Sequence, residues 1–244
     1  RAKGGCGLNI VEVAAVHTPS APAHFVSISE DKFIEGHKKL TDAIHENGGK
    51  AGIQLWQGSI AASMDPKAKI LVVSDMNFGP YTLKAITKEE IKEVIECYGA
   101  AAERAVKAGY DCLEFHLAHN YLPHSFLSAG LNHREDEYGG SFENRCHFPL
   151  EVIDELRKRM PEGMPLFIRI DAQDDLLENG MSIEEVIRFC KIAKEHGAIV
   201  YRRFNKEKVG KGYALDYAFH KIAAEYGESY FDGYFVFDAD NLLD

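Results

Sequence analysis

The residues of this chain best suited to chemistry crowd into one run, Phe115-His116-Leu117-Ala118-His119-Asn120-Tyr121. Two imidazoles and a phenol leave the end of an apolar, strand-length segment together, so all three can converge on one bound molecule. Imidazole N–H groups can hold a carbonyl oxygen as it gains negative charge, and a phenol can deliver a proton to an adjacent carbon. Carbonyl activation is the chemistry that such a group suits. Two other readings share the spacing. His116 and His119 form an HxxH with His124 and His133 nearby, enough nitrogens for zinc, although no HExxH and no thiolate or carboxylate stands at ligand spacing. Histidines in a loop can also do no more than satisfy local backbone groups.

A run of this kind needs a frame, and the chain alternates short apolar segments with helical periodicity throughout. Strand-like runs cover Gly7–Val13, Ala51–Leu55, Asp111–His116, Pro165–Ile170, Ala198–Arg203 and Gly233–Phe237. Helices are predicted between them. Ser29 precedes Phe33, Ile34, His37, Leu40 and Ile44 on one face, closed by Asn47-Gly48-Gly49. Thr87 with Glu90, and Ser182 with Glu185, have the spacing of capping boxes ahead of apolar stripes. Two further helices fit about Glu143–Met160 and Tyr213–Tyr226. Such alternation implies an α/β fold with a parallel sheet, either a barrel or an open doubly wound sheet.

A polar residue closes each of the first four runs: Glu12, Gln54, His116 and Arg169. The C-terminal edge of a parallel sheet is where ligands bind in both architectures. These residues lie roughly 40 to 60 positions apart, so 244 residues do not supply eight strand–helix units. If the parent fold is a barrel, an incomplete one is expected.

Composition limits the partners. With 45% hydrophobic and 27% charged residues the chain reads as globular, not disordered. A net charge of −10 disfavours a broad grip on nucleic acid or anionic lipid. No apolar run approaches the roughly 18 residues of a membrane span, and no secretory leader is visible, so a cytoplasmic location is the expectation. The five cysteines are scattered without a CxxC pair and are expected as free thiols.

The stretch from His116 through Tyr121 to Ser128, continued by Asn132-His133-Arg134-Glu135-Asp136-Glu137-Tyr138-Gly139-Gly140-Ser141-Phe142-Glu143-Asn144-Arg145, closely resembles the old yellow enzyme family. Members are FMN-dependent NAD(P)H:flavin oxidoreductases and ene reductases. Arg1-Ala2-Lys3-Gly4-Gly5-Cys6-Gly7-Leu8 with Glu12 looks like the family's second strand, Gly52-Ile53-Gln54-Leu55-Trp56 like its third, and Ile168-Arg169-Ile170-Asp171 like its fifth. Over about residues 1–197 the resemblance implies part of a TIM barrel, strands two to five, with FMN at the C-terminal mouth and NAD(P)H as reductant. It makes His116 and His119 the pair that binds the carbonyl of an activated alkene or enoate, and Tyr121 the proton donor. Gln54 matches the glutamine on the flavin pyrimidine ring, and Arg169 the arginine near flavin N1 and O2. Val13 stands where a small residue meets the flavin through its backbone. Arg134, Asp136, Tyr138 and Arg145 belong to the same resemblance and are expected to build the loop around Gly139-Gly140.

The pattern is also departed from. Gln57-Gly58-Ser59 replaces the family's His-x-Gly-Arg, and the first strand would lie before Arg1. After His196-Gly197 the family's sixth strand is expected, yet Ala198 to Asp216, including Gly210-Lys211-Gly212-Tyr213-Ala214-Leu215-Asp216, looks like a family 2 glycosyltransferase. Asp238-Ala239-Asp240 then resembles that family's DxD segment, in which Asp238 and Asp240 would share Mn or Mg with a nucleotide sugar. Residues 198–244 are therefore expected to be a glycosyltransferase-like strand–helix–strand, and the chain a chimera of two partial sequences joined near residues 194–200, with a natural fusion as the alternative and a noncatalytic α/β fragment as the third functional reading. A part-barrel of this kind is expected to be inactive and to retain FMN poorly. Its open edges invite oligomers or aggregates.

Overall fold

The computed structural model describes residues 1–174 and 177–197, with residue 224. The strands and helix expected within 198–244, and the Asp238/Asp240 pair, lie outside the described residues apart from Ala224.

Among the described residues four parallel strands form the main sheet: β1 (Leu8–Ala15), β2 (Lys50–Trp56), and, beyond the short antiparallel hairpin of β3 (Met76–Phe78) and β4 (Tyr81–Leu83), β5 (Cys112–Leu117) and β6 (Leu166–Ile170). The strands of that sheet follow one another as β1-β2-β5-β6 without reversal. An open doubly wound sheet reverses its order at a switch point, whereas a barrel wall progresses in one direction, and the progression here is that of a barrel wall.

Register sorts the side chains into two faces. Gln54 lies opposite Glu114, Glu114 opposite Phe167, and His116 opposite Arg169. The alternate residues, Ile53, Leu113 and Leu166, then Leu55, Phe115 and Ile168, form the other face. That apolar face packs beneath the helices. Tyr98 of α2 (Lys88–Lys107) meets Phe115 edge-on at 5.3 Å between ring centroids. The polar column therefore points away from the helices, toward the inner side of the wall.

Both capping boxes are formed. In α2 the Glu90 N–H donates to Thr87 Oγ1 and the Thr87 N–H to Glu90 Oε2, ahead of a buried stripe of Ile91, Val94, Tyr98, Ala102 and Ala105. Ser182 and Glu185 do the same for α5 (Ile183–Glu195). Each satisfies two otherwise orphaned donors of the first turn. α4 (Phe142–Arg159) starts one residue before the expected position, with Ser141 Oγ accepting the Asn144 N–H.

The first helix differs from expectation. A 3-10 turn at Asp31–Phe33 precedes α1 (Ile34–His45), which has no side-chain cap, and Ser29 instead bonds Thr18 and Ser27. His37, Thr41 and Ile44 form its buried face while Leu40 is exposed. The helix starts one turn later than Ser29 predicts, because Ser29 serves a loop and not a helix end. β1 also runs past Glu12, with its register slipping between Val11 and Ala14.

The loop after α3 (Leu122–Leu127) is built on arginines. Arg134 donates to both oxygens of Asp136 and to the carbonyls of Val73 and Ile86. Gly139 passes so close that a Cβ there would lie 2.3 Å from the Arg134 carbonyl oxygen. Among the described residues no helix is long and apolar enough to cross a membrane.

Candidate active site

β5 delivers His116 at its end, and the chain then turns sharply. His119 and Asn120 adopt left-handed backbone, φ 60° and 58°, and Tyr121 leads into α3. For L-residues with a Cβ this conformation costs roughly 1 to 2 kcal/mol each. The turn folds the three rings onto one another: His116 and His119 centroids lie 5.1 Å apart, His116 and Tyr121 4.9 Å, His119 and Tyr121 6.0 Å. The expected convergence of these three side chains is therefore present. Trp56, at the end of β2, braces Tyr121 edge-on at 5.4 Å.

The three differ in depth. His116 is buried, Tyr121 half-buried and His119 exposed, so the group runs from the sheet outward to solvent. Burial, and after it the nearby His119 and Arg169, lowers the His116 pKa to about 3. His116 is then a neutral imidazole near pH 7, and its buried Nδ1 makes no hydrogen bond within the described protein. Burial raises the Tyr121 phenol above its ordinary value, opposed by the Arg169 charge, so it holds its proton at neutral pH. A neutral imidazole and a protonated phenol are both proton donors toward an oxygen or carbanion.

Gln54 and Arg169 stand on the same face as His116. The Gln54 side-chain oxygen accepts the Val13 N–H at 3.4 Å, which the slip in β1 frees from the ladder. Its amide N–H donates to Glu114. Val13, expected to meet a flavin through its backbone, thus spends its N–H on Gln54. Glu12 is exposed, yet its charge reaches Tyr121 and acts to raise the phenol pKa.

Sequence reasoning passed over Glu114. It is fully buried on β5, and one carboxylate oxygen has no hydrogen-bond partner among the described residues. Burial raises its pKa, against the opposing pull of Gln54 and Arg169. Two residues before His116, it shares that face by strand alternation, and a lone acid inside Cys-Leu-Glu-Phe-His-Leu was a signal in plain view. His124, considered above as a zinc ligand, instead accepts the Asn120 N–H on Nδ1 at 3.2 Å and directs Nε2 at Asp171. The exposed His133 gives its backbone N–H to Ser74. Among the described residues no group of three His, Cys, Asp or Glu side chains is placed to hold a metal. Gln57, in the departing loop, is buried and accepts the Ser59 N–H.

A one-way parallel α/β wall with two imidazoles and a phenol gathered at its C-terminal edge defines a barrel-type enzyme site. Residues 1–208 match the NADH:flavin oxidoreductase / NADH oxidase family, and the chain belongs to that family. An NADPH dehydrogenase of Bacillus subtilis is 41% identical over 200 residues, which cover 81% of this chain and 58% of that protein. The histamine dehydrogenase of Rhizobium sp. 4-9 superposes with a TM-score of 0.71 at 31% identity, over 78% of this chain and 29% of its own. Morphinone reductase, solved in complex with tetrahydroNAD, gives 0.69 at 28% identity, over 80% and 59%. The chain thus spans little more than half the length of the curated relatives it matches. The family match runs past residue 197, so residues 198–208 fall within it.

Proposed function

We propose that this chain carries the substrate-activating half of an FMN-dependent NAD(P)H oxidoreductase site acting on activated alkenes, such as enones or enoates. The observation that carries the reading is the convergence of His116, His119 and Tyr121 above the face that bears Gln54 and Arg169. The residues present suit FMN: an amide and a guanidinium share a face with a buried imidazole nitrogen that has no hydrogen-bond partner among the described residues. Gln54 would hold the pyrimidine edge, and the Arg169 charge would favour the reduced, anionic ring. FMN, when bound, supplies hydride to the alkene β-carbon after reduction by NAD(P)H.

The protein's own contribution is placement and proton supply. His116 and His119 hold the carbonyl oxygen through ring N–H groups and draw electron density from the alkene. The Tyr121 hydroxyl gives its proton to the α-carbon. With FMN added to saturation, Tyr121→Phe should slow alkene reduction by about two to four orders of magnitude and leave reduction of the flavin by NAD(P)H intact. Stopped-flow traces of the two half-reactions check this, and equal loss in both sinks the proton-donor role.

A second reading concerns residues 198–244, of which 198–208 also fall within the flavin oxidoreductase match; beyond them Gly210-Lys211-Gly212-Tyr213 and Asp238-Ala239-Asp240 favour a glycosyltransferase-like origin. Manganese-dependent binding of a UDP-sugar, lost in Asp238→Ala and Asp240→Ala, is its test, and source DNA read across residues 194–200 separates one gene from two joined.

A further inference from the structure

The two left-handed residues of the active-site turn are each held by a side chain from outside it. The His119 N–H donates to Asp171 Oδ2 at 2.6 Å, and the Asn120 N–H donates to His124 Nδ1 at 3.2 Å. The two anchors face each other, with His124 Nε2 3.7 Å from Asp171 Oδ2. The second Asp171 oxygen stands 3.9 Å from the His119 ring. His124 is fully buried in α3, while Asp171 follows the last residue of β6. The register that pairs Leu117 with Ile170 sets Asp171 beside Ala118, where the turn begins.

We propose that Asp171 and His124 are positioning residues that clamp the backbone of the turn 118–121 and thereby fix the directions in which His119 and Tyr121 point. The argument is one of geometry. A turn with two consecutive left-handed residues relaxes toward ordinary backbone unless its N–H groups are committed elsewhere. Because Nδ1 accepts, a neutral His124 carries its proton on Nε2, which faces Asp171 at 3.7 Å, beyond hydrogen-bond reach, so each anchor holds its own N–H independently. Burial depresses the His124 pKa and favours that neutral form. The clamp joins β5, α3 and β6 at one point. The importance of the clamp for turnover rests on the reading of His119 and Tyr121 given above, whereas its effect on the backbone does not.

The test compares Asp171→Ala with Asp171→Asn in the full chain, without flavin or substrate, by hydrogen exchange of the peptide containing residues 117–121. Loss of the acceptor in Asp171→Ala should speed exchange at His119 and Asn120 by about tenfold or more, and Asp171→Asn, which keeps an amide oxygen, should restore most of the protection. With FMN and 2-cyclohexenone present, Asp171→Ala should raise KM and lower kcat of the alkene half-reaction alone, again with rescue by Asn. Unchanged exchange in Asp171→Ala overturns the clamp, and so does an Asn variant as fast as Ala, since charge and not the hydrogen bond would then matter. If exchange behaves as expected but Tyr121→Phe leaves both half-reactions untouched, the clamp stands and the catalytic reading falls.

Discussion

His116 illustrates how one buried side chain ties chemistry to stability. It folds as a neutral ring with a pKa of about 3 and titrates near 6.5 once unfolded. Between those values the unfolded chain binds the extra proton, so the fold loses stability as pH falls through that window, by at most about 1.4 kcal/mol per pH unit. His17 and His124, also lowered by burial, add slopes of the same sign. Glu114 acts oppositely. Its folded pKa is raised, so the stability it lends at low pH is lost as pH rises through that pKa. Urea unfolding at several pH values from 7 to 4.5 should give His116→Gln a shallower slope than the parent chain. Parallel slopes would mean that His116 is not held neutral. Much of the site was legible at this scale, because types and spacing alone marked His116, His119 and Tyr121. Glu114 and Asp171 were passed over, since a buried acid and a carboxylate that bonds a backbone N–H leave no motif; only strand alternation from His116 and Arg169 points to them.

Caps and strands show which elements a linear reading can reach. Thr87 and Ser29 looked alike as helix starts, yet only Thr87 has its acidic partner three residues on and receives an N–H from the helix. Thr87→Ala should cost about 1 kcal/mol, as loss of an N-cap does, while Ser29→Ala should stay within about 0.5 kcal/mol, like a surface change. Chemical denaturation of the two variants side by side checks the contrast, and equal losses would restore Ser29 as a cap. The four paired strands were readable because buried parallel strands are nearly continuous apolar runs. The hairpin of β3 and β4 escaped notice. Its residues Met76, Asn77, Tyr81 and Thr82 are exposed, so no burial pattern marks them, and the turn residues Asn77-Phe78-Gly79-Pro80 are their one local signal. α3 was missed for a different reason: it is buried on all sides and too short to show a period.

For the molecule as a whole, the linkage between the site and its outer layer runs through Arg145. This side chain, 5% exposed, donates to the Leu127 carbonyl at the end of α3, to the Gly140 carbonyl in the following loop and to Glu185 in the first turn of α5. One guanidinium thus bridges the helix that follows Tyr121, the loop built by Arg134 and the helix that follows β6 in the chain. A planar fork with donors in several directions can serve three acceptors at once; an ammonium on a flexible stem keeps the charge but not that geometry. Arg145→Lys should therefore destabilise the fold by about 2 kcal/mol despite conserving charge, through loss of one or two buried hydrogen bonds. Arg145→Met should cost about 3 to 5 kcal/mol, because Glu185 and two carbonyls lose their donor together. Urea unfolding gives the magnitudes, and hydrogen exchange of residues 122–127 shows whether the loss reaches the helix beside the catalytic turn. A lysine variant as stable as the parent chain, with α3 equally protected, would reduce Arg145 to a point charge and leave the site without this connection to α5.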